Sequence, residues 1–250
     1  MKKMYLGFVV ILLFIAINTT NAQENEKQLW YCWEEVVHPE HVNEYWELSK
    51  ELTELCKSEA YSYAFYAWTS GNFKYQYWHP INSLSDIDKL EAEWDKIMAK
   101  FGDEKTEKWI KTIKSTNSRT ITEVGDLSFY PENPRVIMDS VNYMEFQEFY
   151  VIPGKGKDFE KMMKKAVDHI KSEGHNDSWH VAYGGLGYDS PVYIGWSFDK
   201  NKKEYIINDE IFSKKYADFF NEFNKEFVKV LRTIERKEAW FARDLSYFGN

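Results

Sequence analysis

Residues 148–173, EFYVIPGKGKDFEKMMKKAVDHIKSE, and residues 34–59, EEVVHPEHVNEYWELSKELTELCKSE, are two copies of one pattern. At an offset of 114 (148 − 34), Glu148 falls on Glu34, Val151 on Val37, Pro153 on Pro39 and Phe159 on Tyr45. Lys171-Ser172-Glu173 falls on Lys57-Ser58-Glu59. Each copy reads as a strand, a turn at proline and an amphipathic helix. An internal repeat makes each copy a supersecondary unit that must bury its apolar face against something else. It therefore constrains the fold before composition is considered.

In chain order, 29–37 is rich in aromatic and β-branched residues and predicts a strand. Val42, Tyr45, Trp46, Leu52, Leu55 and Cys56 then recur at helical spacing. Residues 61–68 and 73–78 predict two strands joined through Ser70-Gly71-Asn72. A helix over 86–101 stops at Gly102, a second helical piece covers 104–114, and a last strand ends in Asp126-Leu127-Ser128-Phe129-Tyr130. Residues 131–140, with Pro131, Asn133 and Pro134, read as a linker.

The order then repeats. A strand over 143–152 leads through Pro153-Gly154-Lys155-Gly156 into a helix over 157–173, whose stripe is Phe159, Met162, Met163, Ala166, Val167 and Ile170. Strands follow at 179–183 and 192–198, then one long apolar stripe from Phe212 to Ile234, then a strand closing on Asp244-Leu245-Ser246-Tyr247-Phe248. Tyr193 and Trp196 match Tyr75 and Trp78 at an offset of 118 (193 − 75), the difference being absorbed at 175–178.

Each half is thus β-α-β-β-α-β, the ferredoxin-like arrangement. A sheet with helices on one face leaves its other face apolar, and that face must be covered. The expected fold is α+β: two ferredoxin-like repeats, residues 28–130 and 141–250, packed sheet to sheet as a fused pseudo-dimeric barrel. The Pro153-Gly154-Lys155 turn followed by Asp158-Phe159-Glu160, set in two such halves, resembles the dimeric α/β-barrel superfamily, and within it NIPSNAP-like and antibiotic-biosynthesis-monooxygenase-like domains. The first copy has Pro39-Glu40-His41 and lacks the glycine. The resemblance implies the fold; its members include enzymes and non-enzymes, so it does not choose an activity.

Net charge of −8 argues against a nucleic-acid partner, whose backbone calls for a basic face. Residues 1–22 read as a signal peptide: Lys2 and Lys3, an apolar run over 6–17, and small residues at Thr20-Asn21-Ala22. The mature protein is then expected outside the cytoplasm, periplasmic or extracellular, meeting a membrane only before cleavage. A disulfide between Cys32 and Cys56 is permitted in that setting. Both align with core positions of the other copy, Phe146 and Ile170, where a free thiol packs as a small hydrophobe.

No phosphate loop, dinucleotide fingerprint or nucleophile elbow is present, and no cofactor is called for. His38 and His41 lack an evident third ligand, so no metal site is assigned. Gly184-Gly185-Leu186-Gly187 reads as a hairpin turn. Glu34 and Glu148 share one repeat position on an apolar strand face, where a carboxylate is costly unless paired or hydrated. His180 has small neighbours, Ala182 and Gly184, that leave room for a ligand, and His169 lies beside the second-half helix stripe. Trp78, Trp196 and Tyr193, with Tyr75, either line a cavity or fill one. The function expected from these residues is an exported, non-enzymatic binding or interaction protein with an aromatic-lined pocket for a small hydrophobic ligand. The alternatives are a monooxygenase-like enzyme acting on an aromatic or haem-like ligand, and an assembly protein with a filled core.

Overall fold

The structure, a computed structural model, describes residues 28–249. The signal peptide and its cleavage point lie outside the described residues. The first half runs β1 (Leu29–Val37), α1 (Val42–Ser58), β2 (Tyr66–Ser70), β3 (Lys74–Ile81), α2 (Asp86–Phe101), α3 (Asp103–Thr112) and β4 (Ile113–Glu123). The second runs β5 (Tyr143–Val151), α4 (Gly156–Ser172), β6 (His180–Gly184), β7 (Val192–Asp199), α5 (Lys202–Lys215), α6 (Ala217–Phe227) and β8 (Leu231–Phe241).

The eight strands close into one antiparallel barrel in the order β1-β3-β2-β8-β5-β7-β6-β4. The first half supplies a continuous β4-β1-β3-β2 sheet and the second a β8-β5-β7-β6 sheet. Two short seams join them: β2 to β8 at Trp68↔Phe241 through Ser70↔Ala239, and β4 to β6 at Ile121↔Gly184 through Glu123↔Ala182. The expected α+β pseudo-dimeric barrel is therefore present, and its halves join at their edges as well as facing each other across a shared core.

That core is the inner face of the strands. Trp30, Cys32, Trp68, Trp78, Met144, Phe146, Ile194 and Trp196 fill it, as the period-two alternation of each strand requires. The outer face of each sheet is covered by its own helices. On α4, Phe159, Met163, Ala166, Val167 and Ile170 are buried against Phe149, Val151 and Tyr193. Burial of the Phe, Met and Ile side chains contributes roughly 1.5–3 kcal/mol each.

Two local expectations are corrected, and the two cysteines are placed. The stripe from Phe212 to Ile234 is not one helix: α5 ends at Lys215, α6 covers Ala217–Phe227, a short turn follows, and Leu231 and Ile234 belong to β8. The closing strands stop at Glu123 and Phe241, after which Gly125–Leu127 and Arg243–Leu245 form 3-10 turns. Only single bridges continue beyond them, Phe129↔Trp179 and Phe65↔Tyr247. Cys32 and Cys56 are free and buried, on opposite sides of the barrel wall: Cys32 packs inside, Cys56 among α1, α2 and Tyr247 outside. Among the described residues no helix is long and apolar enough to cross a membrane.

Candidate active site

Glu34 and Glu35 are neighbours on a strand, so their side chains leave on opposite faces. Glu34 turns into the barrel. Lys74 Nζ lies 3.1 Å from its Oε1, and Gln76 Nε2 donates to Oε2 at 3.0 Å. Burial pushes this carboxyl up, but Gln76 and Lys74 outweigh burial and hold it below the ordinary value. Its repeat partner Glu148, 1% exposed, also points inward and meets Lys237 Nζ at 2.7 Å, Arg119 Nη1 at 3.6 Å and the Tyr150 hydroxyl at 2.7 Å. The structure thus brings the two predicted acids to one end of the barrel, each compensated by a cation. Each carboxylate is thus held in an ion pair inside the barrel.

Glu35 turns outward, beneath α1, α2 and α3, and is 1% exposed. Trp33 Nε1 donates to its Oε1 at 2.9 Å and the Tyr45 hydroxyl to its Oε2 at 2.5 Å. Tyr45 in turn meets the Tyr77 hydroxyl at 2.7 Å. Among the described residues no cation pairs with this carboxylate. Burial dominates, the two hydrogen bonds oppose it only in part, and the carboxyl is raised to about 7.

Glu35 and Tyr77 face a cavity of about 340 Å³ between sheet and helices, walled by Trp33, Phe65, Trp94 and Trp109 and floored by His79. Burial lowers the His79 imidazole to about 3, so the ring is neutral. Ser49 accepts from Trp109 Nε1 at 3.0 Å, and the Thr53 hydroxyl donates to the Ser49 carbonyl at 2.9 Å. The result is an apolar aromatic chamber with one carboxyl poised to exchange a proton near neutrality.

The second half retains a chamber in the same place, about 460 Å³, roofed by α5 and α6. Its chemistry differs. At the repeat offsets Glu35 becomes Phe149, Tyr45 becomes Phe159, Ser49 becomes Met163 and Tyr77 becomes Gly195. The strand register supports the correspondence, with Glu35 opposite Tyr75 and Phe149 opposite Tyr193. Four of these polar residues are thus apolar or absent in the second copy, while Trp33 is matched by the polar Gln147. A Cβ at Gly195 would sit 3.1 Å from the Phe149 ring, so the glycine accommodates that ring. The polar groups at this mouth neutralise each other: Arg135 pairs with Asp177 at 2.6 Å and Asp199 at 2.7 Å.

Of the other predicted site residues, Trp78 and Trp196 meet edge to face inside the barrel at 5.6 Å. His180 stacks on Trp196 at 5.2 Å with Nδ1 buried and unpartnered, and burial lowers it to about 4. His169 is not near it; it lies outside the barrel on α4, stacked on Phe219 at 4.0 Å. Tyr193 faces outward, stacked on Phe159 at 4.3 Å, its hydroxyl donating to Glu160 at 2.6 Å. Glu35 was legible only as a mismatch between repeats, an acid where the other copy has a core phenylalanine.

A haem needs an axial donor and basic groups for its propionates. The first-half cavity is lined by Glu35, Glu91 and Asp95 and by no lysine or arginine. In the second-half cavity Arg135 and Arg236 face Glu145, Asp177, Asp199 and Asp209, and its His175 Nε2 lies 3.7 Å from Asp177. The first-half lining has no basic group for the propionates and does not fit a haem, and no step is derived through one.

No family model matches the sequence, and no curated protein matches it. Solved structures do. A provisionally assigned monooxygenase from Fusobacterium nucleatum subsp. nucleatum superposes with a TM-score of 0.58 at 10% identity, covering 90% of this chain and 96% of that one. An anthrone oxidase-like protein gives 0.57 at 11% identity, covering 88% and 93%. A variant chlorite dismutase from Candidatus Nitrospira defluvii gives 0.52 at 9%, covering 88% and 93%. The expectation of a non-enzymatic binding module is overturned here, because the structures that share this architecture bear the names of oxidising enzymes, which favours the enzymatic alternative. At such identities the likeness establishes architecture, and the chain has the dimeric α/β-barrel fold of the antibiotic-biosynthesis-monooxygenase and chlorite-dismutase-like proteins.

Proposed function

We propose that this protein is a monooxygenase-like enzyme acting on an apolar aromatic molecule held in the first-half cavity, with Glu35 as the base. One observation carries the reading: a carboxyl buried without a cation, raised to about 7, at the wall of an aromatic chamber. A general base works best when its pKa lies near the operating pH. The chemistry that suits it is proton removal from a carbon or hydroxyl acidified by a conjugated carbonyl. The proton passes to Glu35 and leaves an electron-rich anion in the chamber. With dioxygen as the oxidant, an activated methylene becomes a carbonyl: one oxygen atom stays on carbon, and the other leaves as water with the two hydrogens. Tyr45 and Tyr77 hold the carboxyl in place and provide a chain of hydroxyls along which its proton is shared.

Three further parts belong to the same proposal. The chain is taken to divide at residues 131–140 into two repeats, its first 22 residues to direct export, and its turn at Pro153 to mark closer kinship with NIPSNAP-like domains. Their support is the residue pattern alone.

The test is dioxygen uptake with a panel of keto- and hydroxy-polycyclic aromatics, anthrone first. Glu35→Gln is expected to lower the rate by about 10²-fold or more, and the wild-type rate to rise with pH through a midpoint near 7. A Glu35→Gln protein as active as wild type would refute the role of Glu35.

A further inference from the structure

The first-half cavity carries carboxyls and no cation in its lining. Its charged residues are Glu35, Glu91 and Asp95, with no lysine or arginine among the lining. Glu91 and Asp95 stand one helical turn apart on α2, flanking Trp94, and neither makes a salt bridge among the described residues. Their charge is therefore uncompensated at the mouth.

Deeper in, His79 is 6% exposed, and its Nδ1 is buried with no partner. The ring is neutral and hydrogen-bonds the Ala64 backbone, so one nitrogen carries the proton and Nδ1 is left as a bare acceptor. A buried acceptor without a donor is costly. Three of the cavity's donors are committed elsewhere: the Thr53 hydroxyl to the Ser49 carbonyl, Trp109 Nε1 to Ser49, and Trp33 Nε1 to Glu35.

The walls complete the pattern. Trp33, Trp94 and Trp109, with Tyr31, Phe65 and Tyr77, surround the space. Aromatic faces carry negative potential and attract a cation. Carboxylates, an acceptor imidazole and aromatic faces all favour the same occupant, and all oppose an anion.

We infer that the molecule bound in this cavity carries a protonated amine, its aromatic or apolar body against the tryptophans and its N–H groups toward His79 and the Glu91–Asp95 mouth. The inference rests on this cavity being the active site, and it narrows the substrate class to aromatic amines.

The test compares three isosteres by titration calorimetry of the full chain at low salt: naphthylmethylammonium, naphthylmethanol and naphthoate. The ammonium is expected to bind at least about tenfold more tightly than the alcohol, and naphthoate most weakly. In the double variant Glu91→Gln/Asp95→Asn, whose substitutions are on the exposed helix surface, the preference falls at least about threefold, and added salt reduces it in wild type. Equal binding of ammonium and alcohol, tighter binding of naphthoate, an undiminished preference in the double variant, or no binding of any probe overturns the inference.

Glu35→Gln separates it from the enzymatic reading. That variant keeps His79, Glu91 and Asp95, so the ammonium preference persists while proton removal is lost. Lost turnover in Glu35→Gln without an ammonium preference in wild type overturns this inference alone. An ammonium preference with full turnover in Glu35→Gln overturns the role of Glu35 alone.

Discussion

Replacing Glu35 with glutamine has a consequence for stability that needs no substrate. In the folded chain the carboxyl titrates at about 7, against an ordinary value of 4.5. A raised folded value means that the native state holds its proton more tightly than the unfolded state does. The stability this confers is fully present below about pH 4.5 and is lost as pH rises through about 7. Each pH unit in that window costs at most about 1.4 kcal/mol, so between about pH 5 and about pH 8 the wild type loses about 2.5 kcal/mol through this group. Glutamine cannot titrate and lacks the slope. It can still be satisfied: Oε1 accepts from Trp33, and Nε2 donates to the Tyr45 hydroxyl, which then donates to Tyr77. Urea unfolding of both proteins across this range, followed by circular dichroism, measures the difference directly, because all other titrations cancel. A wild-type-minus-variant difference that stays constant to within about 0.5 kcal/mol would refute both the burial argument and the proton-exchange role built on it.

Tyr45→Phe removes one of the two donors that oppose burial at Glu35, so the pH–rate midpoint should move above 7, with a stability loss of about 1–3 kcal/mol; a midpoint that moves downward would contradict the hydrogen-bond assignment. Asp199 is fully buried and accepts from Arg135 Nη2 at 2.7 Å and Asn208 Nδ2 at 3.0 Å. Burial raises its carboxyl, but those hydrogen bonds outweigh burial and hold it below the ordinary value. Asp199→Ala should cost about 1–3 kcal/mol, read as a fall in urea midpoint, because Asn208 loses its acceptor and Arg135 keeps only Asp177. Burial pushes Cys32 up and Cys56 to about 12, so a thiol reagent should label neither in the native protein and both after denaturation.

The architecture was legible because the repeat is strong where it counts. Pro39 and Pro153 stop a strand at the same place, and Tyr45 and Phe159 seat each first helix on its sheet. The strands β4 and β8 were placed poorly for a physical reason. Their first halves, including Ser115, Thr116, Asn117, Glu235 and Arg236, are exposed or join the ion network at the barrel end, so they show no apolar alternation. Leu231 and Ile234 then mimic the spacing of the helix before them. The site was missed for the opposite reason. Glu34 and Glu148 agree between copies and drew attention, yet agreement marked the shared structural network. The proposed base, Glu35, lies where the copies disagree, and its burial depends on α1, α2 and α3 together, which no local pattern reports.

The closed barrel also changes what kind of assembly this is. An isolated four-stranded half would end in two unpaired edges, β2 and β4 or β6 and β8, each a template for another chain. Two separate halves would have to find each other at a rate set by concentration. Joined through the chain between Glu123 and Tyr143, the second half is a permanent neighbour at an effective concentration on the order of millimolar, and closure becomes a first-order event. The β2–β8 seam pairs residues about 170 positions apart along the chain, against about 60 for the β4–β6 seam and about 80–100 for β1–β4 and β5–β8, so it carries the largest loop-closure cost in the barrel. In exchange, the halves stay paired at any dilution. Neither copy then has to serve for both, which leaves one free to keep an acid and the other to replace it.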